Sequence, residues 1–132
     1  MKLVDTTFII GLLRGDPTTV EKALQLDGEG GAASTAVNVF EVAYGVHRSM
    51  TDAEGRMEQA QKVLSNLEIF PLDSRAALKA AEIAADLDKK GMTVDPFDAL
   101  VAGIAIVNGV RTIVTRNVTH FERIPELDVE IH

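Results

Sequence analysis

Short apolar segments of strand character alternate with helical segments along the whole chain, and this rhythm restricts the fold more than any other feature. Residues 2–5 read as a short strand, with Leu3 and Val4 apolar. Thr6 or Thr7 can cap a helix running through Phe8, Ile9, Leu12 and Leu13, which Gly15 stops. Asp16-Pro17 opens a second helix as cap and first helical position, and residues 28–31 (Gly-Glu-Gly-Gly) form a loop. Residues 32–34 carry only a weak strand signal. From Thr35 a helix begins, with Val37, Phe40, Ala43, Tyr44 and His47 at helical spacing. Met50-Thr51-Asp52 separates it from a helix striped by Met57, Ala60, Val63, Leu64 and Leu67. Residues 69–72 read as a strand. Asp73 or Ser74 caps a long helix bearing Ala77, Leu78, Ala81, Ile83, Ala84 and Leu87, ended by Gly91. Asp95-Pro96 starts a strongly apolar helix that reaches Val107. Residues 112–115 form a buried-type strand, 119–121 a loop or single turn, and 127–131 a last, partly polar strand. Such alternation implies an α/β sandwich around a mainly parallel sheet. Functional groups in these folds gather at the carboxyl ends of the strands.

Three acids stand in stretches that otherwise have little use for charge. Asp5 ends the first strand, Glu41 lies within Val37-Asn38-Val39-Phe40-Glu41-Val42-Ala43, and Asp98 opens the apolar run 98–105. Burying a carboxylate costs several kcal/mol unless something pairs with it. No Lys or Arg adjoins any of the three in sequence. Either the fold brings a distant base to them or a divalent cation is the partner. Each also has a plainer reading: Asp5 as a helix cap, Glu41 on an exposed face, and Asp98 as a first-turn acid helped by the helix dipole. Asp95 is the better cap for that last helix, which leaves Asp98 free to act as a ligand.

Composition narrows the chemistry. The chain has 132 residues, enough for one domain with a sizeable core, and no cysteine. Thiolate metal sites and disulfides are therefore excluded. His47, His120 and His132 share no ligand spacing, which argues against zinc, whereas oxygen donors suit Mg²⁺, Mn²⁺ or Ca²⁺. No apolar run approaches a membrane span, and the N-terminal residues lack a signal-peptide pattern, so the expected compartment is the cytoplasm. Net charge is −7. Such a balance disfavours nonspecific binding to a polyanion, whose affinity rests on Lys and Arg at phosphates. The candidates for phosphate contact are Arg14, Arg48 and Arg116, the last following the 112–115 strand.

Four pieces in order resemble PIN-domain ribonucleases, and among them VapC-like toxins of type II toxin–antitoxin systems. They are Val4-Asp5-Thr6-Thr7, residues 34–45 (Ser-Thr-Ala-Val-Asn-Val-Phe-Glu-Val-Ala-Tyr-Gly), Phe97-Asp98-Ala99-Leu100-Val101-Ala102, and residues 113–121 with Thr115-Arg116-Asn117. The resemblance implies a PIN-like three-layer α/β/α sandwich and an Mg²⁺- or Mn²⁺-dependent endoribonuclease. It also implies a homodimer and a small antitoxin that occupies the site. Asp5, Glu41 and Asp98 match the family's first three acids as catalytic metal ligands. Many members carry a fourth acid where Asn117 stands, and an amide there orients water without adding charge. Thr6, Thr115, Arg116 and Arg14 are then expected near the metal and the RNA. Two rivals remain at this stage: an inactive PIN-like module that only holds a protein or RNA partner, and a phosphoacceptor domain using Asp5. The second needs a Lys near the site, and none follows the 112–115 strand.

Overall fold

The computed structural model describes residues 1–49 and 51–132. Among them the chain forms β1 (Lys2–Val4), α1 (Thr6–Leu13), α2 (Pro17–Gly28), β2 (Ala32–Thr35), α3 (Ala36–Arg48), α4 (Ala53–Ser65) and β3 (Glu68–Phe70). These are followed by α5 (Ser74–Lys89), α6 (Pro96–Val107), β4 (Thr112–Val114), α7 (Val118–Phe121) and β5 (Asp128–Glu130). Met50, assigned from sequence to the separator between α3 and α4, lies outside the described residues.

The five strands make one sheet in the order β3-β2-β1-β4-β5, and every neighbouring pair is parallel. β1 is central. Its side chains alternate between faces, as the pleat requires. Leu3 joins a core built with α5, α6 and α7, while Val4 joins a second core with α1, α2 and α4. Ile113 and Val114 of β4 divide in the same way. The result is three layers, helix on sheet on helix. α3 serves both cores, through Val37 on one side and Val42 on the other. α5 and α6 approach so closely that a Cβ on Gly103 would lie 2.7 Å from the carbonyl oxygen of Ala76.

The weak strand signal at residues 32–34 is borne out, whereas the buried faces of α3 and α5 differ from expectation. β2 is the weakest strand in the sequence, yet all four of its residues are buried. Its small side chains fit between β1 and β3, and the Ser34 hydroxyl donates to the carbonyl of Val4 at 2.8 Å. In α3 the helix is as predicted but its buried face is not. Val37, Asn38 and Val42 point inward, while Phe40 and Tyr44 are about half exposed and stack at 5.8 Å. A similar swap occurs in α5, where Ala76, Ala80, Ile83 and Leu87 are buried and Leu78 faces solvent.

Candidate metal centre at the carboxyl edge of the sheet

The strand ends place the site. β1 stops at Val4, and Asp5 turns the chain directly into α1, which it caps by accepting from the backbone N–H of Phe8 at 3.3 Å. The plain reading of Asp5 as a cap is therefore correct. It does not exhaust the residue, because the carboxylate is almost fully buried and accepts two further hydrogen bonds. The Thr7 hydroxyl donates to Oδ1 at 2.6 Å and the Thr115 hydroxyl to Oδ2 at 2.5 Å. Thr115 follows β4, the strand beside β1, so sheet order alone brings the two together. Hydroxyl donors on both oxygens fix the carboxylate plane and leave one lone pair, on Oδ2, for a further partner.

Glu41 reaches the same edge from α3. Its Oε1 accepts from the Thr6 hydroxyl at 2.9 Å, and Thr6 in turn accepts from the Asn38 amide at 3.1 Å. Asn38 is fully buried and anchored by Thr35, whose hydroxyl donates to its Oδ1 at 2.7 Å. Asn38 thus holds Thr6, and through it Glu41. Sequence reasoning gave Asn38 no role. The available signal was an amide three positions before Glu41 on the same helix, among apolar residues.

Asp98 enters from the first turn of α6, where Asp95 is the cap as expected. The His120 ring nitrogen Nδ1 lies 3.0 Å from Asp98 Oδ2. His120, whose place in the sequence gives no ligand spacing, is exposed but faces a site acid. Burial is the main cause that raises the affinity of both Glu41 and Asp98 for a proton. The Thr6 hydrogen bond partly offsets this at Glu41, and the His120 hydrogen bond at Asp98. Each also feels the negative charge of Asp5 and Asp95, and Glu41 that of Asp98. The acids therefore share one electrostatic neighbourhood. Among the described residues no Lys or Arg forms an ion pair with any of the three.

That donor set fits a hard divalent cation, which takes oxygen ligands and offsets clustered negative charge. Among the described residues no three acidic or histidine side chains converge tightly enough to enclose an ion unaided. A cation that keeps several waters, as Mg²⁺ does, requires no such cage.

The remaining expected residues divide. Thr6 and Thr115 stand against Glu41 and Asp5 as hydroxyl donors. Asn117 is exposed at the start of α7, and its backbone N–H donates to the Thr115 hydroxyl at 2.9 Å. The Arg116 guanidinium turns away from the acids. It pairs with Asp16 and also reaches the hydroxyls of Thr18 (3.3 Å) and Thr19 (3.2 Å). Arg14 is exposed at the end of α1, and with Thr7, Asp16 and Arg116 it lines a cavity of about 530 Å³. A second cavity of about 520 Å³ opens between α1, α3 and α4, against Ile10, Leu13, Val42 and Val46. No described helix is long and apolar enough to cross a membrane.

Comparison with known proteins identifies the fold and the family. The sequence model of the PIN domain family matches residues 2–127. The tRNA(fMet)-specific endonuclease VapC of Salmonella typhimurium is 30% identical over 128 residues, covering 97% of this chain and 95% of that protein. Among solved structures, VapBC2 from Rickettsia felis bound to a DNA fragment from its promoter superposes with a TM-score of 0.87 at 26% identity, covering 99% of this chain and 98% of that one. DNA-bound VapBC from Salmonella typhimurium superposes with a TM-score of 0.86 at 28% identity, with the same coverage.

Proposed function

This chain belongs to the PIN-domain family, and from that premise we propose that it is a divalent-metal-dependent endoribonuclease, the toxin of a toxin–antitoxin pair working in the cytoplasm. The observation that carries the proposal is the set of carboxylates at the sheet edge: Asp5 buried and held by two hydroxyls, with Glu41 and Asp98 in the same electrostatic neighbourhood and, among the described residues, no Lys or Arg paired with any of them. The names of the VapC relatives, an endonuclease and ribonucleases, support the same reaction class.

Asp5, Glu41 and Asp98 are the residues that would hold Mg²⁺ or Mn²⁺. When bound, such an ion acidifies water and offsets the charge that builds on a phosphodiester under in-line attack. The chain's own part is positional. Thr7 and Thr115 fix Asp5, and Asn38 and Thr6 fix Glu41. His120 sits where it can accept or give a proton at its ring nitrogen beside Asp98. The Asn117 amide faces solvent near Thr115, where it can orient a water. Arg14, unlike Arg116, is in none of the ion pairs found among the described residues, and it is the better placed of the two for an RNA phosphate.

Two surfaces suit protein partners. The groove between α1, α3 and α4 is lined by Ile10, Leu13, Val42 and Val46 together with Arg14 and Arg56. It suits the apolar side chains of an antitoxin segment that ends with a basic group among the acids. The second surface is an exposed cluster of Phe40, Tyr44, Leu72 and Phe97, with Phe40 5.9 Å from Phe97. A second copy of the chain would cover it in a homodimer. With a net charge of −7, promoter contacts of the kind named for the solved VapBC structures fall to the partner.

The test is cleavage of a folded RNA by the purified chain with Mg²⁺, with Mn²⁺, and with a chelator. The expected result is hydrolysis that needs the ion and is lost in Asp5→Asn and Asp98→Asn. Undiminished cleavage by both variants would overturn the assignment.

A further inference from the structure

Beyond β5 the chain folds back so that the ring of His132 lies between α1 and α2. Its Nδ1 is 2.8 Å from the Thr19 hydroxyl and its Nε2 is 3.1 Å from the Thr7 hydroxyl. One ring face meets the edge of Phe8, with centroids 5.3 Å apart at 78°. Thr7 is the residue whose hydroxyl holds Asp5.

The hydrogen-bond directions can be assigned by counting protons. A hydroxyl has one proton to give and two lone pairs. The Asp5 carboxylate only accepts, so the Thr7 proton goes to Oδ1. The lone pairs of Thr7 then accept from two N–H groups, the backbone of Arg116 at 3.0 Å and His132 Nε2. His132 must therefore carry its proton on Nε2 and accept at Nδ1 from the Thr19 hydroxyl. Thr19, fully buried, accepts in turn from the Arg116 guanidinium at 3.2 Å. Each group gives and takes consistently, from Arg116 through Thr19, His132 and Thr7 to Asp5.

A doubly protonated ring would break this order, because Thr19 would then accept from Nδ1–H as well as from Arg116 and its own buried proton would lose its acceptor. Burial and the nearby Arg116 both hold the ring's proton affinity below the ordinary histidine range, which keeps it neutral. The groups facing the ring are Thr7 and Phe8 from α1, Asp16, Thr19 and Lys22 from around α2, and Arg116 and Asp5 from the β4 and β1 ends.

We propose that His132 is a positioning residue for the metal site, which through the Thr7 hydroxyl fixes the rotamer in which Asp5 presents its free Oδ2 lone pair. The proposal rests on Asp5 being a ligand. Its role is distinct from that of Asp98, which has its own imidazole in His120.

Mn²⁺ binding to the purified full chain, measured by calorimetry at neutral pH without RNA, tests it. His132→Phe keeps the ring against Phe8 but removes the donor to Thr7. It is expected to weaken Mn²⁺ binding by roughly 10-fold, the low end of what loss of a supporting partner costs a metal site. His132→Gln keeps an N–H donor near the position of Nε2 and is expected to stay within about twofold of the parent. Thr7→Val should weaken binding at least as much, and adding His132→Phe to it should cause no further loss. Melting temperature without metal reports any purely structural cost, which affects Phe and Gln variants alike. Parent-like Mn²⁺ affinity in His132→Phe, alongside loss in Asp5→Asn, would overturn the assignment of His132 alone. So would equal weakening in the Phe and Gln variants. Parent-like affinity in Asp5→Asn would overturn the metal site itself, and the role of His132 with it.

Discussion

At the edge strand β5, Glu130 stands between two ammonium groups, with Lys2 at 2.8 Å and Lys22 at 3.0 Å, and Lys2 also reaches Glu29 at 3.1 Å. The hydrogen bond from Lys2, then that from Lys22, holds the Glu130 carboxyl below the ordinary range. At the carboxyl ends of β1 and β4, Glu41 and Asp98 are pushed the other way, chiefly by burial. Both groups border one sheet in one acidic chain. The first is neutralised by the chain itself and calls for nothing more. The second is held in place by hydroxyls and an amide, which orient charge without cancelling it, and its one basic partner among the described residues is the exposed imidazole of His120. An acid cluster that the fold positions carefully and leaves uncompensated is arranged for a cation from outside.

The sharpest way to break this contrast is to remove one charge from each group. Asp5→Asn keeps a good helix cap, so the fold should persist. The loss of a ligand removes several kcal/mol of charge stabilisation. At 1.36 kcal/mol per tenfold, RNA cleavage should fall by about a hundredfold or more. Glu130→Gln should leave cleavage within about twofold of the parent. A comparable fall in both variants would mean that acidity in general, and not the site, supports activity.

Metal affinity sharpens the contrast further. Ligand carboxylates must be ionised to bind, so binding displaces any protons they carry. Glu41 and Asp98 hold protons to higher pH than ordinary carboxylates. Mn²⁺ binding should therefore weaken as pH falls towards their raised range, and protons should be released on binding in that window. Calorimetry in two buffers of different ionisation enthalpy would show it. Binding that stays constant from neutral pH down to pH 4.5 would contradict the role of both acids.

The sequence displayed one of these two groups and hid the other's partners. The three site acids were legible because a charge inside an apolar run needs a reason. The parallel sheet was legible from the alternation of elements. The strand β2 shows only weakly in sequence because Ala32, Ala33, Ser34 and Thr35 are small or polar; fit and hydrogen bonding place them. The α3 face was misread because Phe40 and Tyr44 lie at core spacing, and helical spacing does not say which stripe meets the protein. The pairing of Lys2 with Glu130, and of His132 with Thr7, joins positions more than 120 residues apart. Only sheet order and the return of the chain after β5 bring them together, and local pattern carries no trace of either. Arg116 illustrates the same limit: its neighbours in sequence point to the site, while its guanidinium bonds to Asp16 from the far end of the α1–α2 turn.

The stability of the metal-free protein should depend on pH with opposite signs at the two groups. For Glu41 the folded carboxyl binds its proton more tightly than the unfolded one. Its contribution is present in full below the ordinary glutamate value of 4.5 and is lost as pH rises through the higher folded value. At neutral pH, Glu41→Gln removes a charge that burial disfavours. Glu41 is only partly buried, so solvent screening keeps the gain below about 1 kcal/mol, or a few degrees in melting temperature. The same variant should bind Mn²⁺ more weakly, so saturating Mn²⁺ should reverse the order of stability.

The smallest effect belongs to Glu130, and it runs the other way. Its folded carboxyl releases the proton more readily than the unfolded one, so its contribution is present above 4.5 and is lost as pH falls through the lower folded value. Glu130→Gln should cost no more than about 1 kcal/mol at neutral pH, the usual worth of a partly exposed ion pair. The cost should shrink in high salt, because these charges are screened. It should vanish as pH falls through the lowered folded value, where the parent carboxyl is itself protonated. Mn²⁺ should stabilise Glu130→Gln by the same increment as the parent, since Lys2 and Lys22 already satisfy that carboxylate. If Mn²⁺ stabilised this variant less than the parent, the ion would be acting at the lysine-bound edge as well, and the distinction between a self-neutralised and an uncompensated acid group would no longer hold.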